Sequence, residues 1–232
     1  MFQDFNLNPA ILKAIDELGF KEPMPIQAEV LPILLNQRTD LVGLAQTGTG
    51  KTAAFGLPLL QNIDASKRCV QALVLCPTRE LCMQISKDLL SYAKYMPEVM
   101  IVPVYGGASI EQQFKALAKK PQIIVATPGR LQDMIRRNRV DFSNVQWMVL
   151  DEADGNVHLL ANFVVNAFVN ARSHANHKGV VLFGQRTYGL KHTSQVVVNL
   201  LYAAARQERD EARAFLHAEQ AQEFVVLHRP LL

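Results

Sequence analysis

The chain has 232 residues, 49% of them hydrophobic and 19% charged, and carries a formal net charge of +3. That length is long for one domain and short for two complete nucleotide-binding domains, and the apolar share is enough for a sizeable core. The mild basicity permits nucleic-acid binding without requiring it, and no charge-free run approaches the ~18 apolar residues of a membrane span.

The first twelve residues have neither the basic region nor the apolar run of a signal peptide. Asn8 and Pro9 suit an N-cap and a first helical position, and Gly19 suits the residue past a helix end. Between them Ile11, Leu12, Ile15 and Leu18 recur at helical spacing. From residue 40 short apolar runs take over: Asp40–Ala45, Ala72–Cys76, Met100–Val104, Gln122–Ala126 and Trp147–Leu150. Each is apolar almost throughout, as strands buried on both faces of a parallel sheet are. The intervening segments near 50–62, 79–95, 109–119 and 129–137 are predicted helices. Alternation of this kind predicts stacked βαβ units, a doubly wound α/β fold with a parallel sheet and helices on both faces. Ligands then bind outside the carboxyl ends of the strands. Cys69, Cys76 and Cys82 are odd in number and spaced for neither zinc nor a disulfide framework, which points to a reducing, cytoplasmic compartment.

Composition breaks after Asp154. All six histidines lie beyond it and all seven methionines before it. The division expected is therefore 1–154 and 155–232. The break favours a tail read out of frame or spliced in. The competing reading is a divergent carboxyl half, with helix 157–171, strand 179–183, helix 193–218 and strand 223–227 completing the same domain.

Ala45-Gln46-Thr47-Gly48-Thr49-Gly50-Lys51-Thr52 stands between a predicted strand and a predicted helix. A loop here can aim several backbone N–H groups into one concavity at a helix amino terminus, where the dipole also favours phosphate. Lys51 can reach the β- and γ-phosphates and Thr52 can ligate magnesium. A Gly-rich turn that binds nothing is the plainer reading, and the strand–turn–helix context argues against it. The run Trp147–Leu150 ends in Asp151-Glu152-Ala153-Asp154. Asp151 at a strand end can hold magnesium, and Glu152 can orient and deprotonate an attacking water. Alone, such acids are usually just solvated; about a hundred residues after a phosphate loop they are a constellation. Upstream, the amide of Gln27 can pair with the adenine N6/N7 edge and so favour ATP over GTP. Taken singly, Gln27 is more simply a solvated helix residue.

Further motifs select a family. Gly19-Phe20 with Pro23-x-Pro25-Ile26-Gln27, the phosphate loop, Pro77-Thr78-Arg79-Glu80-Leu81, Gly106-Gly107, Thr127-Pro128-Gly129-Arg130 and Asp-Glu-Ala-Asp follow in the order and spacing of DEAD-box RNA helicases. Residues 2–154 resemble the amino-terminal core of that family, in which Ala45 is normal and Met24 replaces a more usual threonine. The resemblance implies a RecA-like phosphate-loop NTPase domain using ATP and magnesium, with Phe2, Phe20, Gln27 and the phosphate loop around the nucleotide and Phe2 stacking on adenine. It implies sequence-independent contacts from Pro77, Thr78, Arg79, Glu80, Gly106, Gly107, Thr127, Pro128, Gly129 and Arg130 to the RNA backbone. Taken singly, these are ordinary turns, with Arg79 and Arg130 in surface salt bridges. The basic cluster Lys119–Lys120 and Arg136–Arg139 is expected to be a solvated face.

The resemblance stops at the box. Gly155 to His158 replaces the family's next segment, and Gly184-Gln185-Arg186 stands where Ser-Ala-Thr would partner Asp154 and link hydrolysis to strand separation. The family's second RecA-like domain, with its arginine finger, is absent from the sequence. The expectation is the first core domain of an ATP-dependent RNA helicase, monomeric and inactive alone. A truncated module that binds nucleotide or RNA without turnover is the alternative.

Overall fold

The structure, a computed structural model, describes residues 1–36, 39–46, 48–152, 179–184 and 224–230. Its strands are β1 (Thr39–Ala45), β2 (Ala72–Leu75), β3 (Ile101–Val104), β4 (Ile123–Ala126), β5 (Trp147–Leu150), β6 (Gly179–Gly184) and β7 (Phe224–Pro230). They form one sheet in the order β3-β4-β2-β5-β6-β1-β7. A short 3₁₀ turn at Phe2–Phe5 precedes helices α1 (Pro9–Glu17), α2 (Pro25–Asn36), α3 (Lys51–Gln61), α4 (Arg79–Tyr92), α5 (Ile110–Leu117) and α6 (Pro128–Arg136).

The apolar strands are buried on both faces because consecutive side chains enter different cores. Ala72, Val74, Ile123, Val125, Trp147 and Val149 pack with α1–α4. Their neighbours Leu73, Leu75, Ile124, Ala126, Met148 and Leu150 pack with α5 and α6. Six strands run parallel, with Leu73 opposite Ile124 on one side and Met148 on the other.

Helix ends obey their caps. The Asn8 side chain accepts the Ala10 N–H at 2.8 Å, Thr78 Oγ1 accepts that of Leu81 at 3.2 Å, and Ser109 Oγ accepts that of Gln112 at 3.4 Å. Gly19 takes φ +81°, the left-handed conformation expected past α1.

Two features differ from the sequence reading. The sequence reading gives helix α2 no range, placing only Gln27 on a helix, because α2 is apolar on most of its circumference and carries Pro32 inside it; a periodic signal needs a polar face. Residues 179–184 form a strand as expected and insert between β5 and β1. The strand at 224–230 runs antiparallel to β1, pairing Ala45 with Phe224 and Thr39 with Pro230, so it closes no βαβ unit. An antiparallel edge on an otherwise parallel sheet is a common arrangement, and apolar alternation carries no information about strand direction. The expected helices 157–171 and 193–218 lie outside the described residues. No helix among the described residues is long and apolar enough to cross a membrane.

Candidate functional site

The helices that follow β1, β2, β3 and β4 all begin at the carboxyl edge of the sheet, so four N-termini open there. The edge divides in two. Loops after β1 and β5 make one half, and loops after β2, β3 and β4 make the other.

In the first half, β1 ends at buried Ala45 and the chain turns through the glycines into α3. Gly48 and Gly50 have φ +80° and +85°, which a side chain would strain. Thr49 Oγ1 donates to the Gln46 carbonyl at 2.7 Å, tightening the turn. Lys51 opens α3 with only 7% exposure, and its ammonium, with three hydrogens to donate, has no hydrogen-bond partner among the described residues. A buried, unpartnered cation at a helix amino terminus is a site shaped for an anion. Thr52 follows it, half-buried.

Gln27 is 2% exposed, which removes the solvated alternative. Its Oε1 accepts the Met24 N–H at 2.9 Å and its Nε2 donates to the Gly50 carbonyl at 3.1 Å. A Cβ on Gly50 would lie 2.3 Å from that Nε2, so glycine is required for the approach as well as for φ. The glutamine is thereby tied to the last residue of the loop. One lone pair of Oε1 and one N–H of Nε2 remain beyond these two bonds.

Phe2 departs from the stacking expectation. It is 2% exposed, with its ring 6.5 Å from Phe5 and 6.0 Å from Phe20. The ring is consumed by the core, where it props Phe20, whose other edge meets Tyr92 at 5.9 Å. Phe20 itself is only partly buried.

At the end of β5, Asp151 is 3% exposed and its N–H donates to the Leu75 carbonyl at 2.9 Å. Glu152 has φ +51°, a conformation that costs a non-glycine residue about 1–3 kcal/mol and gathers at active sites. The neighbouring thiol of Cys76 is pushed well above its usual range, first by the Cys82 thiol, then by burial, then by the charges of Asp151 and Glu152. Magnesium fits this donor set in one way only. No cluster of three or more His, Cys, Asp or Glu capable of holding a metal occurs among the described residues. A hard cation here would use Thr52, Asp151, water and phosphate oxygens together, its usual practice.

In the second half, Thr78 caps α4 and Arg79 begins it, exposed, with its guanidinium 5.2 Å from the Tyr105 ring centroid. Gly107 has φ +81°, and a Cβ there would meet Arg79 Nη1 at 2.9 Å. Arg130 in α6 donates to the Ala108 carbonyl through Nη1 and Nη2, each at 3.4 Å. Its Nη1 also reaches Gln113 Oε1 at 3.3 Å. The salt bridges of the described residues involve neither arginine, so the ion-pair alternative does not describe them. Pro77, Glu80, Gly106 and Pro128 complete the three loops, and nothing lies within 4 Å of a Cβ built on Gly129. The Thr127 side chain makes no cap bond at α6. Lys119, Lys120 and Arg136–Arg139 are exposed, with Arg137 paired to Asp133 and Arg139 over Phe114.

Thr47, Asp154, Gln185 and Arg186 lie outside the described residues. The sequence reading missed Tyr105 and Gln113. A signal for Gln113 was present: with Ile110, Phe114 and Leu117 it sits on the apolar stripe of α5, where an amide needs a reason.

The family model for DEAD/DEAH box helicases matches residues 24–168. The chain is 50% identical over 153 residues to the ATP-dependent RNA helicase DeaD of Escherichia coli K12, covering 66% of this chain and 24% of that one. It therefore spans about a quarter of that relative's length. Among solved structures, a DEAD box protein from the hyperthermophile Methanococcus jannaschii superposes with TM-score 0.74 at 35% identity, over 89% of this chain and 53% of the other. Dbp5 of S. cerevisiae bound to RNA and ADP BeF3 gives TM-score 0.71 at 27% identity, over 88% and 49%.

Proposed function

Because the chain belongs to the DEAD/DEAH box helicase family, we propose that it binds magnesium-ATP at the β1/β5 half of the edge and single-stranded RNA at the other half, as the first core domain of an ATP-dependent RNA helicase. The observation that carries this reading is the buried Lys51 ammonium at the head of α3, without a hydrogen-bond partner among the described residues. Lys51 reaches the terminal phosphates, and the N–H groups of the turn bind their oxygens. Gln27 turns its remaining acceptor and donor to the N6/N7 edge of adenine, beside Phe20. Thr52 and Asp151 hold magnesium, partly through water; the ion supplies charge neutralisation on the transferring phosphoryl group. Glu152 orients the attacking water and accepts its proton.

RNA binding fits the second half because its loops are rich in glycine, threonine and arginine, which grip phosphate and sugar with little base readout. The RNA and ADP BeF3 named for Dbp5 support that assignment. A monomer in the cytoplasm belongs to the same proposal. So does the division into an ATP-bearing core at 1–154 and a divergent or aberrant segment at 155–232, which the coding DNA around codon 154, read in three frames, tests.

A second reading is a module that binds nucleotide and RNA without productive turnover. It is favoured by Gly184, which ends β6 opposite Leu44 of β1, where the family resemblance implies a serine–alanine–threonine segment. Phosphate release with and without single-stranded RNA separates the two. The 232-residue chain alone is expected to hydrolyse negligibly, since an arginine finger is worth roughly 10³–10⁵ in rate. Mixed with a second core domain from a relative, it should become RNA-stimulated. Failure to respond would favour the non-catalytic module.

A further inference from the structure

Two arginines that the proposed RNA surface needs are held on either side of one turn, and a single buried amide joins that turn to one of them. Gln113 is 6% exposed on α5. Its Nε2 donates to the Tyr105 carbonyl at 2.9 Å, and its Oε1 accepts from Arg130 at 3.3 Å. Arg130 closes the circuit on the Ala108 carbonyl, so the segment Tyr105–Ala108 is gripped at both ends. The Tyr105 ring, oriented by the same segment, carries Arg79. Loops after β2, β3 and β4 thus meet through Gln113, a residue that sits beneath the surface.

We infer that Gln113 is a positioning residue for RNA binding: it holds the Gly106–Gly107 turn and Arg130 in one register, so that three separate loops present phosphate-binding groups as one surface. The inference rests on the proposed RNA interface and adds a residue to it. An amide suits the task because it donates to a carbonyl and accepts from a guanidinium at once. An apolar residue of equal length fills the same space and does neither. The loss falls on geometry, since Gln113 is uncharged and too buried to touch RNA.

The test compares wild type, Gln113→Leu, Gln113→Met and Arg79→Ala in the 232-residue chain. Affinity for a labelled single-stranded oligonucleotide is read across a salt series, alongside affinity for a fluorescent ATP analogue and the melting temperature. Both Gln113 variants should bind the oligonucleotide roughly 5- to 10-fold more weakly with unchanged nucleotide affinity. The slope of log affinity against log salt should also fall, by about 0.7 for each phosphate that the displaced loops no longer grip. A residue that merely supports the fold would move nucleotide affinity and melting temperature together and leave that slope alone, and this result would overturn the inference. If Arg79→Ala weakens RNA binding and neither Gln113 variant does, the interface stands and the positioning role falls. If none of the variants alters RNA binding, the interface reading fails and takes the inference with it.

Discussion

The two halves of the carboxyl edge are built on opposite principles. Around β1 stands a buried ammonium, Lys51, with no hydrogen-bond partner among the described residues, at the mouth of a turn stiffened by Gln27 and Thr49. Around β2, β3 and β4 the two arginines are already engaged: Arg130 donates to two acceptors and Arg79 lies on Tyr105. In the first half we propose that an anionic ligand pairs with the Lys51 ammonium, which would link affinity to stability there. The second half holds its arginines in place beforehand, and we propose that it suits a repeating polyanion held by many weak contacts. One sheet therefore carries a deep half, whose buried cation is proposed to take nucleotide, and a flat half of exposed loops whose arginines are already held.

The largest expected effect would break the comparison inside the first half, between binding and chemistry. Glu152→Gln should retain magnesium-ATP binding and lose about 10²–10⁴-fold in any hydrolysis measured with a second core domain supplied, as for removal of a general base. Normal phosphate release by that variant would mean another group activates the water. A smaller effect concerns selectivity. Gln27→Ala should erase about 1–3 kcal/mol of ATP-over-GTP discrimination, read by competitive titration of the two nucleotides. It should also loosen the turn, because the bond to the Gly50 carbonyl goes with it. Unchanged selectivity would reduce Gln27 to that tether. The smallest effect is on stability. Lys51→Met removes a buried donor that has no partner among the described residues and should raise the nucleotide-free melting temperature by a few degrees, corresponding to ~1–3 kcal/mol for an unsatisfied buried donor. A fall instead would show that Lys51 is satisfied without a ligand, and would erase the contrast between the halves.

The deep half was more legible in the sequence than the flat one. Gly-Lys-Thr between an apolar run and a helix constrains backbone and charge together, so Lys51 and the turn could be placed from residue type alone. Asp151 followed from an apolar run ending in acid. Phe2 was misassigned, because whether an aromatic ring stacks on a ligand or fills a core depends on partners distant in sequence, here Phe20. In the flat half the loops could be named but their cooperation could not, since it runs through Gln113 and Tyr105, joined to Arg79 and Arg130 by tertiary contacts. The reversed direction of β7 was equally hidden, because alternating burial is the same for either orientation of a strand. Glu152 at φ +51° is a conformation that residue type argues against, and strain of this kind is set by surroundings.

The separability of the two halves is the central claim, and paired titrations of Lys51→Ala and Arg79→Ala against wild type test it most directly. Each protein is titrated with a fluorescent ATP analogue in magnesium and, separately, with a labelled single-stranded RNA in the absence of nucleotide. Lys51→Ala should lose nucleotide binding by roughly 100-fold or more, the loss of two charge-assisted hydrogen bonds at about 1.5–3 kcal/mol each, and keep RNA binding. Arg79→Ala should keep nucleotide binding and weaken RNA several-fold. Loss of both ligands in either variant, or RNA binding that follows Lys51 and ignores Arg79, would contradict the account.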